Sequence, residues 1–328
     1  MRQTVLFLFA SLLAIGFSCS DKKTVKYEVQ THKDANGYTY ETVSNDPIGL
    51  RVYTLKNGMK VYLSENKEEP RVEGMITVKA GSKDDPDETS GLAHYFEHLM
   101  FKGTDKYGTS NWEKEKVLLQ QISDLYEKHL ATNDSLEKKN IYKEIDKLSQ
   151  EASKYALPSE YDGMSQIIGT NGTNAFTSYD MTSYINNFPS VEIEKWLVLE
   201  SERFRNPVLR LFHTELETVY EEFNMYQQND NWRTDDVIMS GLFKNHTYGR
   251  PVIGYGKHLK NPSMVNILNF FKTYYVPNNM ALFLSGDIDY DKTITLVDKY
   301  FGSRTPSQSI PERKFETEAP LAKPIVAE

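Results

Sequence analysis

The sequence predicts a layered α/β body, an α+β sandwich of sheet and helices, and three observations carry that prediction. A strong hairpin signal opens the body, a long middle stretch repeats its apolar residues at helical spacing, and strand-like and helix-like segments then alternate. The chain has 328 residues, 39% hydrophobic and 26% charged, which is enough to bury an ordinary core without cross-links.

In chain order, Met1-Arg2 is followed by an apolar run from Val5 to Ile15, the charged start and short apolar middle of a secretory signal, too short to span a bilayer comfortably. Gly16-Phe17-Ser18-Cys19 then looks like a bacterial lipobox, with Cys19 as the lipidated residue of a signal spanning 1–19. Gly16 stands where such motifs usually carry Leu, so plain cleavage near Ser18 or Cys19 stays open. Lipidation would anchor an exported protein in the cell envelope. Residues 20–47 are polar with little periodicity and read as a tether without regular structure.

The folded body is expected over 48–304. Leu50 to Leu63 alternates polar and apolar residues around Asn57-Gly58, which predicts a β-hairpin. Met75 to Ala80 is a strand, and Glu88, Thr89 and Ser90 offer caps for a helix containing Leu92 to Met100. Between 111 and 158, Leu118, Ile122 and Leu125, then Ile141, Ile145, Leu148 and Ala152, predict two helices broken near Thr132-Asn133-Asp134. Strands follow at Asn174 to Ser178 and Met181 to Phe188, and helices at Ile193 to Arg205 and Thr214 to Gln228. Asn266 to Tyr275 reads as helix, Met280 to Leu284 as a buried strand and Lys292 to Phe301 as helix. Four prolines across 305–328 make that segment linker-like. Its apolar end at Ile325-Val326-Ala327 reads either as the start of a continuing chain or as a short docked strand.

Charge and cysteine content narrow the function. With 38 basic and 46 acidic residues the formal charge is -8, and no Lys/Arg block interrupts it, which argues against a nucleic-acid partner. One cysteine excludes an internal disulfide and any Cys-rich metal site.

The chemistry concentrates in His94-Tyr95-Phe96-Glu97-His98. Two histidines four apart share a helix face and reach one metal ion, and Glu97 projects beside them, a zinc-hydrolase arrangement. Such a site wants a third protein ligand. On the helix around 215–228, Val219, Phe223 and Tyr226 define the apolar face. Glu222 falls beside that face and is the better ligand candidate, while Glu215, two turns earlier on nearly the same side, is placed to orient a ligand. Glu217 and Glu221 read as exposed charge. His213 and His246 lack a paired residue at ligand spacing.

His94-x-x-Glu97-His98 resembles the inverted zinc motif of the pitrilysin/insulinase family, which includes the mitochondrial processing peptidases. The likeness runs from Gly49 to Gly302 and includes Gly91-Leu92-Ala93, Leu99 to Thr104, Asn174 to Ser178, the Glu215 and Glu222 pair, and Tyr275 to Met280. The resemblance implies a metallopeptidase domain of the mitochondrial processing peptidase-like type, with the helical hairpin at 111–158 as an insertion. It implies one zinc ion held by His94, His98 and Glu222, Glu97 as general base, Glu215 as support, and a peptide substrate paired along Asn174, Ala175, Phe176 and Thr177. It also implies a second homologous domain or subunit closing a chamber, of which this chain carries no copy. The function expected is a zinc endopeptidase acting on extended peptides in the cell envelope. The alternative is an envelope lipoprotein that binds peptides or a partner without cleaving, against which the intact ligand set and Glu97 speak. A metal sensor would leave Glu97 and the peptide strand without a purpose.

Overall fold

The computed structural model describes residues 27–321 and 324. The signal-like segment with Cys19 and the apolar ending at 325–327 lie outside the described residues. Eight strands form one sheet: β1 (Val29–Lys33), β2 (Thr39–Val43), β3 (Arg51–Thr54), β4 (Lys60–Glu65), β5 (Arg71–Val78), β6 (Asn171–Thr177), β7 (Thr182–Pro189) and β8 (Met280–Gly286). Their spatial order is β1-β2-β3-β4-β8-β5-β7-β6, antiparallel except where β8 slots in parallel beside β4. That central position suits the nearly unbroken apolar run of β8.

Among the described residues ten α-helices complete the layers: α1 (Leu92–Leu99), α2 (Trp112–Ala131), α3 (Ser135–Ser153), α4 (Glu160–Ile168), α5 (Ile193–Arg203), α6 (Phe212–Gln227), α7 (Asp230–Leu242), α8 (Gly256–Leu259), α9 (Met264–Tyr274) and α10 (Tyr290–Phe301). Across the central strands β4, β8, β5 and β7 one sheet face is buried, through Val61, Leu63, Val72, Ile76, Tyr184, Phe188, Leu282 and Leu284. Trp196 of α5 stacks on Phe188 with ring centres 4.8 Å apart. It comes so close to the sheet that a Cβ on Gly74 would lie 2.8 Å from its ring, so only glycine fits there. The opposite face carries Tyr62 and Phe283, stacked at 4.5 Å and only half-buried.

The hairpin forms at Asn57-Gly58 as expected, with Gly58 at φ 86°. The 111–158 stretch folds as the α2–α3 pair, broken at 132–134. Three expectations need correction. Residues 27–47 are not an unstructured tether: β1 and β2 pair in register from Val29↔Val43 to Lys33↔Thr39 and extend the sheet. Their apolar contribution is a ladder of rings, His32 on Tyr40 and Tyr40 on Tyr53, each at 5.2 Å, interleaved with polar residues that hid the alternation. The cap of α1 is not Glu88, Thr89 or Ser90 but the buried carboxylate of Asp85, which accepts from the N–H groups of Gly91 at 2.7 Å and Ala93 at 2.9 Å. Finally, α4 and α7 were unanticipated: α7 buries only Gly241 and exposes Trp232, Val237 and Ile238, so it has no buried stripe to read, whereas α4 buries Tyr161, Ser165 and Ile168 on one face of only nine residues, too short a run for its periodicity to stand out.

Beyond α10 the chain forms no helix or strand among the described residues, yet it is held. Arg313 donates to the carbonyl of Asp85 at 2.6 Å, and the Glu318 carboxylate accepts from the N–H groups of Asn245 and His246. No described helix is long and apolar enough to cross a membrane.

Candidate metal centre and active site

The site is a seam between α1 and α6, with the edge strand β6 beside it. Helix α1 starts abruptly because Gly91 adopts φ 85°, and a Cβ there would sit 2.4 Å from the carbonyl oxygen of Ile253. Asp85 caps this start, and burial pushes its carboxyl up to about 7 despite the backbone N–H groups it accepts. The buried face of α1, Leu92, Ala93, Tyr95, Phe96 and Leu99, leaves His94 and His98 on the side toward α6. Tyr95 locks the two helices by donating its hydroxyl to the Phe212 carbonyl.

His94 and His98 stand edge to face with ring centres 4.9 Å apart. Glu222 of α6 faces both: its Oε2 lies 3.7 Å from His94 Nε2 and 3.4 Å from His98 Nε2. Tetrahedral zinc with bonds of about 2.0–2.1 Å separates its ligand atoms by roughly 3.4 Å, so the donor spacing suits that ion. Among the described residues these three are the one group of metal-capable side chains that converges, with ligand atoms all within 4.8 Å of one another. Glu222 keeps 34% of its side-chain surface exposed and the histidines 19% each, so the cluster opens on one side to solvent.

Behind the cluster, the Glu215 carboxylate accepts from His98 Nδ1 at 2.9 Å and pairs with Lys102 through its other oxygen. Burial pushes this carboxyl up, but those hydrogen bonds and the Lys102 charge outweigh it and hold Glu215 below the ordinary carboxylate range. For His98, burial pulls the imidazole down, while the Glu215 hydrogen bond and the charges of Glu222, Glu215 and Glu97 raise it above its usual value. A carboxylate on Nδ1 fixes the tautomer that leaves Nε2 free for a metal. His94 differs. Its Nδ1 is buried without a hydrogen-bond partner among the described residues, and burial followed by the charge of His98 lowers its pKa to about 4, keeping the ring neutral.

Glu97 is nearly buried, and its Oε2 accepts a hydrogen bond from the Thr177 hydroxyl at 2.6 Å. Burial holds it above the ordinary carboxylate value, with Glu222 adding to the rise and Thr177 and His98 opposing it. Thr177 ends β6, which pairs with β7 on one side and is the last strand of the sheet on the other. Asn174 and Phe176 are exposed along it, and Ala175 and Thr177 are half-buried.

The structure brings together His94, Glu97, His98, Glu215, Glu222 and the 174–177 strand. It leaves Glu217 and Glu221 exposed on other faces of α6. His213 is committed elsewhere, its Nδ1 hydrogen-bonded to the Tyr126 hydroxyl at 2.9 Å, and His246 packs on Phe315. Sequence reasoning missed three contributors. Lys102 was findable, four residues after His98 on the line of the same helix, but Asp85 and the side chain of Thr177 act through contacts that no local pattern marks.

Comparison with known proteins identifies the family. A family model described as insulinase (peptidase family M16) matches residues 60–119 and 148–256, and one described as peptidase M16 inactive domain matches residues 265–328. An uncharacterized zinc protease of Mycobacterium leprae is 25% identical over 265 residues, 80% of this chain and 48% of the relative. A probable mitochondrial-processing peptidase subunit beta of Arabidopsis thaliana is 23% identical over 260 residues, 76% of this chain and 38% of the relative. The chain therefore spans half or less of the length of these relatives. Among solved structures, the periplasmic protease PqqL from Escherichia coli shares the fold with a TM-score of 0.63 and 20% identity, over 84% of this chain and 26% of that one. The insulinase model alone accounts for more than half of the residues, both helices of the seam included, and on that ground the chain belongs to the insulinase family, peptidase family M16.

Proposed function

We propose that this chain is the catalytic part of a zinc-dependent endopeptidase that hydrolyses extended or unfolded peptides in a bacterial cell envelope. The observation that carries the reading is the convergence of three metal donors within 4.8 Å, an acid beside them, and an edge strand hydrogen-bonded to that acid. In this reading His94, His98 and Glu222 hold one zinc ion per chain, which supplies the Lewis acidity that peptide hydrolysis needs near neutral pH. Glu97 is the general base. Its carboxylate, made more basic by burial, takes a proton from water and later hands it to the leaving amine. Glu215 keeps His98 in its ligating tautomer, and Thr177 keeps Glu97 turned toward the cluster.

The peptide adds to the open edge of β6 along Asn174, Ala175, Phe176 and Thr177. Pairing through the main chain demands an extended partner and gives little sequence selectivity, which favours unfolded substrates. Residues 48–304 act as the metallopeptidase domain, with 111–158 inserted, and 305–328 leads toward a second homologous domain or subunit that closes a chamber. The signal-like 1–19 and Cys19 support export and lipid anchoring.

Glu97→Gln tests the assignment. It is expected to keep zinc, measured by metal analysis, and to slow cleavage of a quenched unstructured peptide by a factor on the order of a thousand. Comparable hydrolysis by wild type and variant would sink the general-base role. The partial coverage of the relatives favours one alternative, a subunit that binds peptide without cutting it. Zinc and peptide binding with no products from the wild type, even after long incubation, would establish that reading instead.

A further inference from the structure

The α2–α3 hairpin does more than lengthen the chain between His98 and Glu222. The family model skips residues 120–147, and two side chains from that skipped stretch, His129 and Tyr142, roof a cavity of about 580 Å³ over α6 and the end of α8. Leu216 and Leu259 line it with apolar surface, and Tyr142 and Tyr220 present their rings. Glu217, Glu221 and Lys260 stand at its exposed margin. Neither Glu217 nor Glu221 has an ion-pair partner among the described residues, so along the lining two carboxylates face one ammonium group; a second, Lys138, acts on His129 from outside the lining with its Nζ held by the Asn261 side chain at 2.6 Å. Lys260 Nζ lies over the Tyr220 ring, 5.4 Å from its centre, the geometry of a cation on an aromatic face, and a guanidinium entering the cavity would stack on Tyr142 or displace that ammonium. His129 is only 8% exposed and makes no hydrogen bond or ion pair with any described residue, yet its imidazole is part of the cavity wall. On the helical wheel Glu217 and Tyr220 lie about 140–160° from Glu222, so the cavity sits behind α6 as seen from the metal donors.

We propose that this cavity is a recognition site for a basic side chain of the bound peptide, arginine above all, remote from the bond that is cut. The role in peptide capture rests on the function proposed above. An arginine stem is apolar and suits Leu216 and Leu259. Its planar guanidinium stacks on tyrosine, and its fixed fork of donors serves the free imidazole of His129 and the carboxylates of Glu217 and Glu221 together, which a lysine ammonium does less well.

The test measures binding, so it does not depend on turnover. The zinc-loaded Glu97→Gln chain is titrated with a fluorescent pentapeptide carrying one central arginine, and with the same peptide carrying neutral citrulline. The arginine peptide is expected to bind about tenfold tighter. The double substitution Glu217→Gln with Glu221→Gln should erase that preference while leaving the circular dichroism spectrum unchanged, since both residues are exposed. The His129 ring resonances should shift with the arginine peptide in the parent and not in the double variant. Equal binding of the two peptides would overturn the proposal. So would a preference that survives the double substitution, or one lost in Glu222→Ala but kept in the double variant, because either places the cation elsewhere. Failure of the peptidase reading is separately visible, as absence of cleavage by the wild type with the arginine preference intact.

Discussion

Helix α6 meets α1 on one side and the α2–α3 hairpin on another, and the two contacts are built by different means. Toward α1 the contact is a polar seam. Glu215 and Glu222 face the imidazoles of His98 and His94, with Glu215 also paired to Lys102 and Glu222 still 34% exposed. Toward the hairpin the contact is closed by satisfied pairs at the start of α6 and opens into the cavity further along it. Arg210, just before α6, donates to both oxygens of Glu115 in α2 at 2.6 and 2.8 Å, with Arg210 1% exposed and Glu115 fully buried. The same guanidinium donates to the carbonyls of Lys102 and Thr104, beside the end of α1. Tyr126 holds His213, and Ser263 donates to Glu127 at 2.8 Å. The difference teaches where a stretch that the family model skips can be accommodated. A hairpin that satisfies its own buried charges docks on α6 without taking any donor away from the metal-facing side.

Substitutions on the two sides should therefore separate metal binding from stability. The largest effect is expected for Glu222→Ala, which removes one of three donors and should abolish zinc retention after dialysis, whereas Glu221→Ala, one residue earlier, should keep the full metal content. Equal loss in both would mean that α6 does not present Glu222 alone. Next comes Glu115→Ala, which strands a buried guanidinium. Denaturant unfolding should show a loss of about 3–5 kcal/mol, with zinc affinity little changed in whatever remains folded. Replacing Glu115 and Arg210 together by methionine should recover much of that loss, and an unfolding midpoint no better than that of Glu115→Ala would argue against a charge-burial origin. The smallest is Glu215→Gln, which keeps shape but weakens the hold on His98 and Lys102. Competition with a chelator should report zinc affinity lower by roughly 10–100-fold at unchanged stoichiometry. No change would show that His98 is oriented by packing alone.

Much of the fold was legible because its signals are local. Asn57-Gly58 specifies its turn through backbone conformation, and the helical spacing of Ile122, Ile141 and Ile145 marks α2 and α3 whatever they pack against. The His94, Glu97 and His98 set was legible for the same reason, since a helix alone brings residues three and four apart onto one face. Strands β1 and β2 were not, because their inward residues are tyrosine and histidine rather than aliphatic, and their burial depends on docking against Tyr53. Helix α7 was hidden by an apolar surface that faces solvent in this chain.

The site divides along the same line. Sequence by itself picked out His94, Glu97 and His98 on α1 as the candidate metal and acid residues and, through the phase of one helical wheel, favoured Glu222 over Glu221, because both follow from the geometry of a single helix. Only the tertiary structure decided that Asp85 caps α1, that Thr177 holds Glu97, that Lys102 joins Glu215, and that the α2–α3 hairpin closes a cavity behind α6. Each of these joins residues distant in the chain or in separate elements, and periodicity carries no information about which faces of different elements meet. That is settled by how the whole apolar surface is buried at once.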